Sequence, residues 1–141
     1  MNIKVKDLMI TNIVTTVPHK SIQHVKDIMK TKKIHSVPIV NSENEPVGIV
    51  TAKDLIKKFK EGTPVSQIMS SKVYTIPEYS DVYIAARVMR NKKIHHLLVT
   101  DENKLVGIIS SFDLLQLVED HRFTMKNPPT KSKKKVKKQR H

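Results

Sequence analysis

An α+β fold made of two like units packed sheet to sheet is predicted by three observations. The chain repeats itself at a spacing of about 60 residues: Lys32-Lys33-Ile34-His35 overlies Lys92-Lys93-Ile94-His95, and Met9, Met29, Gly48 and Asp54 overlie Met69, Met89, Gly107 and Asp113. Short β-branched runs closed by proline or glycine recur in each copy at matching places. Between them lie stretches whose apolar residues recur at helical spacing. A unit of about 60 residues buries little surface by itself, so the copies are expected to share a core across a pseudo-twofold axis. The division is residues 1–61, residues 62–125 and a polar tail, 126–141.

Each unit reads as helix, strand, helix, hairpin, helix. Residues 4–9 and 64–69 form short opening helices, the second with Pro64 just inside its start, where a missing N–H costs nothing. Ile13-Val14-Thr15-Thr16-Val17 and Val73-Tyr74-Thr75-Ile76 are short strands stopped by Pro18 and Pro77. Ser21 caps a helix with Ile22, Val25, Ile28 and Met29 inward; Ser80 or Asp81 caps its twin, with Val82, Ala85, Ala86 and Met89 inward. With one-residue adjustments in two loops, Pro18 falls on Pro77 and Ser21 near Ser80, which sets Asp81 opposite Ile22. A hairpin follows in each copy, Val37–Val40 with Val47–Val50 and Leu97–Val99 with Leu105–Ile109. Closing helices span 52–60 and about 111–123.

The most informative stretch is Gly48-Ile49-Val50-Thr51-Ala52-Lys53-Asp54-Leu55, which returns as Gly107-Ile108-Ile109-Ser110-Ser111-Phe112-Asp113-Leu114. Each copy leads a strand into a helix, with a hydroxyl at the junction and an aspartate three residues later. Free N–H groups at a helix start favour an anion, and a carboxylate one turn in can accept from both hydroxyls of a ribose. Thr51 with Asp54, and Ser110 with Asp113, also fit a capping box, which needs no ligand. Both readings stand on the sequence alone.

These two stretches, with Ile34-His35-Ser36-Val37-Pro38-Ile39-Val40, resemble the cystathionine-β-synthase-type (CBS) domain in tandem, the Bateman module, over residues 4 to about 120. The resemblance implies two β-α-β-β-α repeats, a homodimer, and regulatory binding of an adenosine nucleotide (AMP, ADP or ATP), with S-adenosylmethionine or NAD as lesser candidates. It implies no catalysis and an unspecified protein partner. Carried over by position, one cleft has Asp113 on the ribose, Ser110, His95 and His96 toward phosphate, Ile108 on the preceding strand, and Val17, Ile22, Ile34 and His35 around adenine. The other has Asp54 on the ribose, Thr51, His35 and Ser36 toward phosphate, Ile49 on the strand, and Ile76, Asp81, Ile94 and His95 along the base. Leu98 replaces Pro38, and Asp81 stands where the first copy has Ile22. Both changes disturb the base side of the Asp54 cleft, so the Asp113 cleft is favoured.

Charge adds a second function class. Of 26 basic residues, eight fall within 126–141 with no acid among them, and the other eighteen against thirteen acids leave the body at +5. Lys131, Lys133, Lys134, Lys135, Lys137, Lys138 and Arg140 form a run that builds no core and is expected to be disordered when free. Such an arm suits nucleic-acid phosphates, read without sequence preference, which makes a nucleic-acid-binding protein, with the arm on a dimeric CBS scaffold and nucleotide gating as an option, the alternative function. No cysteine is present, so disulfides and thiolate chemistry are excluded. His95 and His96 are strand neighbours pointing to opposite faces, so no metal site is expected. Only three glycines occur, with no phosphate loop and no nucleophile–base spacing, so no enzyme is expected. No apolar run long enough for a membrane and no signal peptide are seen, which makes the cytoplasm the default location.

Overall fold

The computed structural model describes residues 2–119. The basic run, with every lysine and arginine proposed for nucleic acid, lies outside the described residues, as does the end of the expected closing helix beyond 119. In the first repeat, α1 (Val5–Leu8) precedes α2 (Ile22–Lys32) and an antiparallel hairpin of β1 (Ser36–Val40) and β2 (Pro46–Thr51). A single 3-10 turn, Ala52–Leu55, closes it. The second repeat opens with a 3-10 turn, Val65–Gln67, and continues with β3 (Thr75–Pro77), α3 (Val82–Lys92), β4 (His96–Asp101), β5 (Lys104–Ser110) and α4 (Ser111–Glu119). Its sheet has the order β3-β4-β5, parallel then antiparallel. Among the described residues no helix is long and apolar enough to cross a membrane.

The strands sort their side chains between two faces. Leu97, Val99 and Ile109 face a core shared with Ala85 and Met89 of α3, and Val37, Ile39 and Val50 face a core shared with Val25 and Met29 of α2. Alternate residues point the other way, as the two-residue period of a strand requires. Val40, Leu98 and Leu105 are buried there together with half-buried Ile49 and Ile108, so the sheets pack against each other as the pattern predicts.

The opening segments cross over. Val5, Leu8 and Met9 pack into the second repeat's core, and Val65, Ile68 and Met69 into the first repeat's core. Backbone bonds fix each crossing. Ile10 and Ile108 exchange two, at 2.8 and 3.0 Å, and Ile49 and Ser70 exchange two, at 3.0 and 2.9 Å. The strand glycines admit these segments. A Cβ on Gly48 would lie 2.5 Å from the Met69 sulfur and 3.1 Å from the Ser70 carbonyl oxygen, and one on Gly107 would lie 2.7 Å from the Met9 sulfur.

Four expectations are corrected. The opening helix expected over 64–69 is only the three-residue 3-10 turn Val65–Gln67. Ile13–Val17 forms no strand, only a bridge between Thr16 and Ile39. In the second repeat Leu98 N donates to Tyr74 O at 3.1 Å; Pro38 occupies Leu98's place in the first and has no N–H to give, so the ladder shortens. The closing helix 52–60 stops after one turn: Leu55 packs on the first core, Ile56 is 80% exposed, and a helix that short is marginal without a longer buried face. The register of the repeat also changes. Thr16 and Ile76 hold equivalent places, as do the N-caps Ser21 and Asp81 and the left-handed C-caps Lys33 and Lys93. The offset is thus constant from Met9 to the hairpin turn, where the second copy is one residue shorter. There Glu102 and Asn103, at φ 50° and 68°, make a tight turn. Asp81 therefore matches Ser21, and Val82 matches Ile22.

Candidate functional site

The strand-to-helix junctions assemble two equivalent clusters. In the second repeat His96 pairs with Ser110 across β4 and β5, and Ser111 N donates to the His95 carbonyl at 2.9 Å. The Asp113 Oδ2 atom accepts from Ser110 N at 2.8 Å and from Ser110 Oγ at 3.0 Å, while Asp113 N donates to Ser110 Oγ at 3.2 Å. In the first repeat Ser36 pairs with Thr51, and Ala52 N donates to the His35 carbonyl at 2.8 Å. Asp54 Oδ2 accepts from Thr51 N at 2.8 Å and Thr51 Oγ1 at 3.1 Å.

The capping box is thus formed in both copies, and it uses only one oxygen of each carboxylate. Among the described residues nothing donates to Oδ1 of Asp54 or Asp113. Cap and ligand are therefore compatible: Oδ2 holds the turn, and Oδ1 remains available to a diol at a half-buried position. The hydroxyl and the carboxylate are fixed with respect to each other before anything binds.

The clusters differ in donors. His96 and Ser111 of the second repeat stand where the first has Ser36 and Ala52, and α4 runs nine residues where the first repeat has one turn. Ser111 Oγ lies 3.4 Å from His95 Nδ1, a contact that residue-by-residue transfer did not include, although Ser111 directly follows the motif hydroxyl. The second cluster thus has a longer helix behind it, an imidazole in place of the Ser36 hydroxyl, and one more hydroxyl in Ser111.

The expected base-side residues are spread more widely. Val17 sits half-buried in the turn before α2, accepting from Lys20 N, and Ile22 is buried with its N–H on Thr63 O. Ile34 packs on the first core and, with His35, stands beside Ala52 and Leu55. Ile94 packs on the second core, and Ile76 is buried within it on β3. Ile49 and Ile108 lie between the sheets. The two departures held against the Asp54 cleft lose their force. Asp81 is an N-cap residue whose carboxylate binds Lys4 Nζ at 2.7 Å, and Leu98 is buried between the sheets.

Partial burial of its ring holds the His96 imidazole below the ordinary 6.5, the neighbouring His95 lowers it further, and Asp113 pulls it partly back. The folded chain then binds fewer protons here than the unfolded chain. This group's contribution to stability is intact above about pH 6.5 and is lost as pH falls through the lowered value. His96→Gln is expected to flatten the decline in melting temperature below pH 6.5, which melts across that window would read out. A decline identical in the variant would assign it to other groups.

The sequence profile of the CBS domain matches residues 5–61 and again 65–120. The chain belongs to the CBS domain family. As a CBS pair it is 30% identical over 115 residues to the CBS domain-containing protein YhcV of Bacillus subtilis, covering 78% of this chain and 81% of that one. It is 35% identical over 113 residues to protein MK0525 of Methanopyrus kandleri, covering 75% of this chain and 58% of the relative. It spans only 25% of another relative, a homoserine O-acetyltransferase of Methanosalsum zhilinae, at 33% identity over 87% of this chain. Among solved structures, the CBS pair superposes on that of protein MJ0100 in complex with 5′-methylthioadenosine and S-adenosyl-L-methionine. The TM-score is 0.75 at 28% identity, over 84% of this chain and 98% of that one.

Proposed function

We propose that this CBS pair is a regulatory module that binds an adenosine nucleotide of the AMP, ADP or ATP type, catalyses nothing itself, and relays ligand level to a partner. The observation that carries this reading is the paired hydroxyl–carboxylate cluster, each with one carboxylate oxygen left for a ligand. The adenosyl ligands bound by the MJ0100 pair support the ligand class. The Asp113 cleft is the principal site, with Ser110, Ser111, His95 and His96 toward the anionic end. The module acts as a homodimer; an exposed apolar stripe on α4, Phe112, Leu115 and Val118 at three-residue spacing, supports this.

A ligand that binds only the folded state raises its stability by ~2.7 kcal/mol at about 100 times its dissociation constant. Melting curves with AMP, ADP, ATP, S-adenosylmethionine, 5′-methylthioadenosine and NAD are therefore expected to show a shift of several degrees for at least one ligand. Guanine analogues should shift it less. Flat curves at millimolar concentrations, from protein shown to carry no nucleotide, would refute the sensor reading.

A further inference from the structure

A second opening lies on the other side of the first repeat's closing turn. A 3-10 turn has three residues per turn, so Ala52 and Leu55 share one face while Thr51 and Asp54 share another. The Ala52–Leu55 face borders an open pocket of about 550 Å³, which neither Thr51 nor Asp54 lines. Its apolar floor is completed by Met29 and Ile34, and its wall is basic. Lys26 and Lys30 lie one helical turn apart on α2, and Lys33 stands at the left-handed cap that ends it, at φ 57°. No acid lines the pocket, and among the described residues the only ion pair is Lys4 with Asp81. The charged side chains that line it are thus Lys26, Lys30 and Lys33, all of one sign, and a wall of one sign beside an apolar floor suits an anion.

Duplication accounts for this arrangement only in part: Lys30 and Lys33 have the basic counterparts Arg90 and Lys93. At the equivalent place to Lys26 the second repeat has Ala86, and its closing element is the full helix α4 rather than one turn.

We propose that this pocket binds a small amphipathic anion at a site separate from the Thr51–Asp54 cleft. A compact aromatic or aliphatic body lies over Met29, Ile34 and Leu55, with a phosphate, sulfonate or carboxylate toward Lys26, Lys30 and Lys33. The volume falls within the range of small-molecule sites, roughly 300–1,000 Å³, which favours a small ligand over a peptide segment. Ile34 and His35, which the resemblance assigns to the base side of the Asp113 cleft, both line this pocket, so separateness has to be tested against that cleft as well.

The probe is 8-anilinonaphthalene-1-sulfonate, titrated by fluorescence into the full chain. Saturable binding is expected to weaken with salt and to drop roughly tenfold or more in Lys26→Ala/Lys30→Ala, the size of a lost charge-assisted contact. Lys30→Glu, at an exposed position, gives the same test if the double variant folds poorly. Asp54→Asn should leave probe binding unchanged, and AMP or ATP should not displace it. Binding indifferent to the lysine changes would place the probe elsewhere, such as the α4 stripe, and overturn the proposal. Displacement by AMP that Asp113→Asn or Asp54→Asn abolishes would make the pocket part of a nucleotide cleft and overturn its separateness. Failure of the probe where a deca-glutamate peptide binds through Lys26 would overturn the ligand class.

Discussion

Asp113→Asn is expected to weaken adenine-nucleotide binding by roughly tenfold or more, the range of a hydrogen bond to a charged group. The melting temperature of the empty protein should hardly move. The separation of effects follows from how the two oxygens are used. Asparagine keeps one acceptor, which can still take the Ser110 N–H that Oδ2 takes now, so the cap survives. What changes is the atom facing the ligand, where an NH₂ replaces an acceptor and meets a ribose hydroxyl. Asp54→Asn should have the smaller effect, because its cluster lacks the counterparts of His96 and Ser111. Titration calorimetry beside melting curves checks both. Normal binding with a lower melting temperature would leave Asp113 as a cap alone, and a dominant Asp54 would reverse the ranking of the clefts.

The largest effect on stability is expected from Gly107→Ala, at about 1–3 kcal/mol, the usual cost of forcing atoms into a packed interior. A methyl there would meet the Met9 sulfur at 2.7 Å and the Ile10 carbonyl oxygen at 3.0 Å. The thioether can swing aside, but the carbonyl cannot, since Ile10 is tied to Ile108 by a pair of backbone bonds. Removing the side chain with Met9→Ala should therefore rescue only part of the loss. Chemical denaturation of the single and double variants measures both terms. A Gly107→Ala protein as stable as the original would show that the crossing segment has slack.

The repeated glycine of the motif thus serves a neighbouring chain segment, and this explains part of what could and could not be read from the sequence. Periodicity located α2, α3 and both hairpins, because their buried residues recur locally at 3.6 or 2 residues. The hydroxyl–aspartate pairs were legible for the same reason: both partners lie within one turn. Ile13–Val17 misled because its strand character depended on an N–H that Pro38, twenty or more residues away, does not have. Residues 52–60 carry helix-forming residues, but Leu55 is the last of them packed on the first core, and propensity alone does not hold so short a helix. Asp81 was misplaced by one position because Pro18 and Pro77 invited an alignment that the bridge at Thr16 contradicts. Most opaque was the destination of Met9 and Met69, since no local pattern tells which copy an opening segment will join. The pocket beside Leu55 was hidden likewise, as its lining comes from two segments some twenty residues apart.

The crossing of residues 4–10 and 63–70 also bears on how such a chain can fold and arise. Neither half holds all of its own core: Val5 completes one interior and Val65 the other, and both are wholly buried. Severing the connection near Gly62 would leave two pieces, each carrying the plug for the other's hole. Folding is accordingly tied to contacts far apart along the chain, with closure of one half waiting on the synthesis of the second. A lone ancestral unit would face the same vacancy and could fill it only with the opening segment of a sister molecule. Pairing would then have come before gene fusion, and the linker around Gly62 would be the later addition that made an existing partnership permanent.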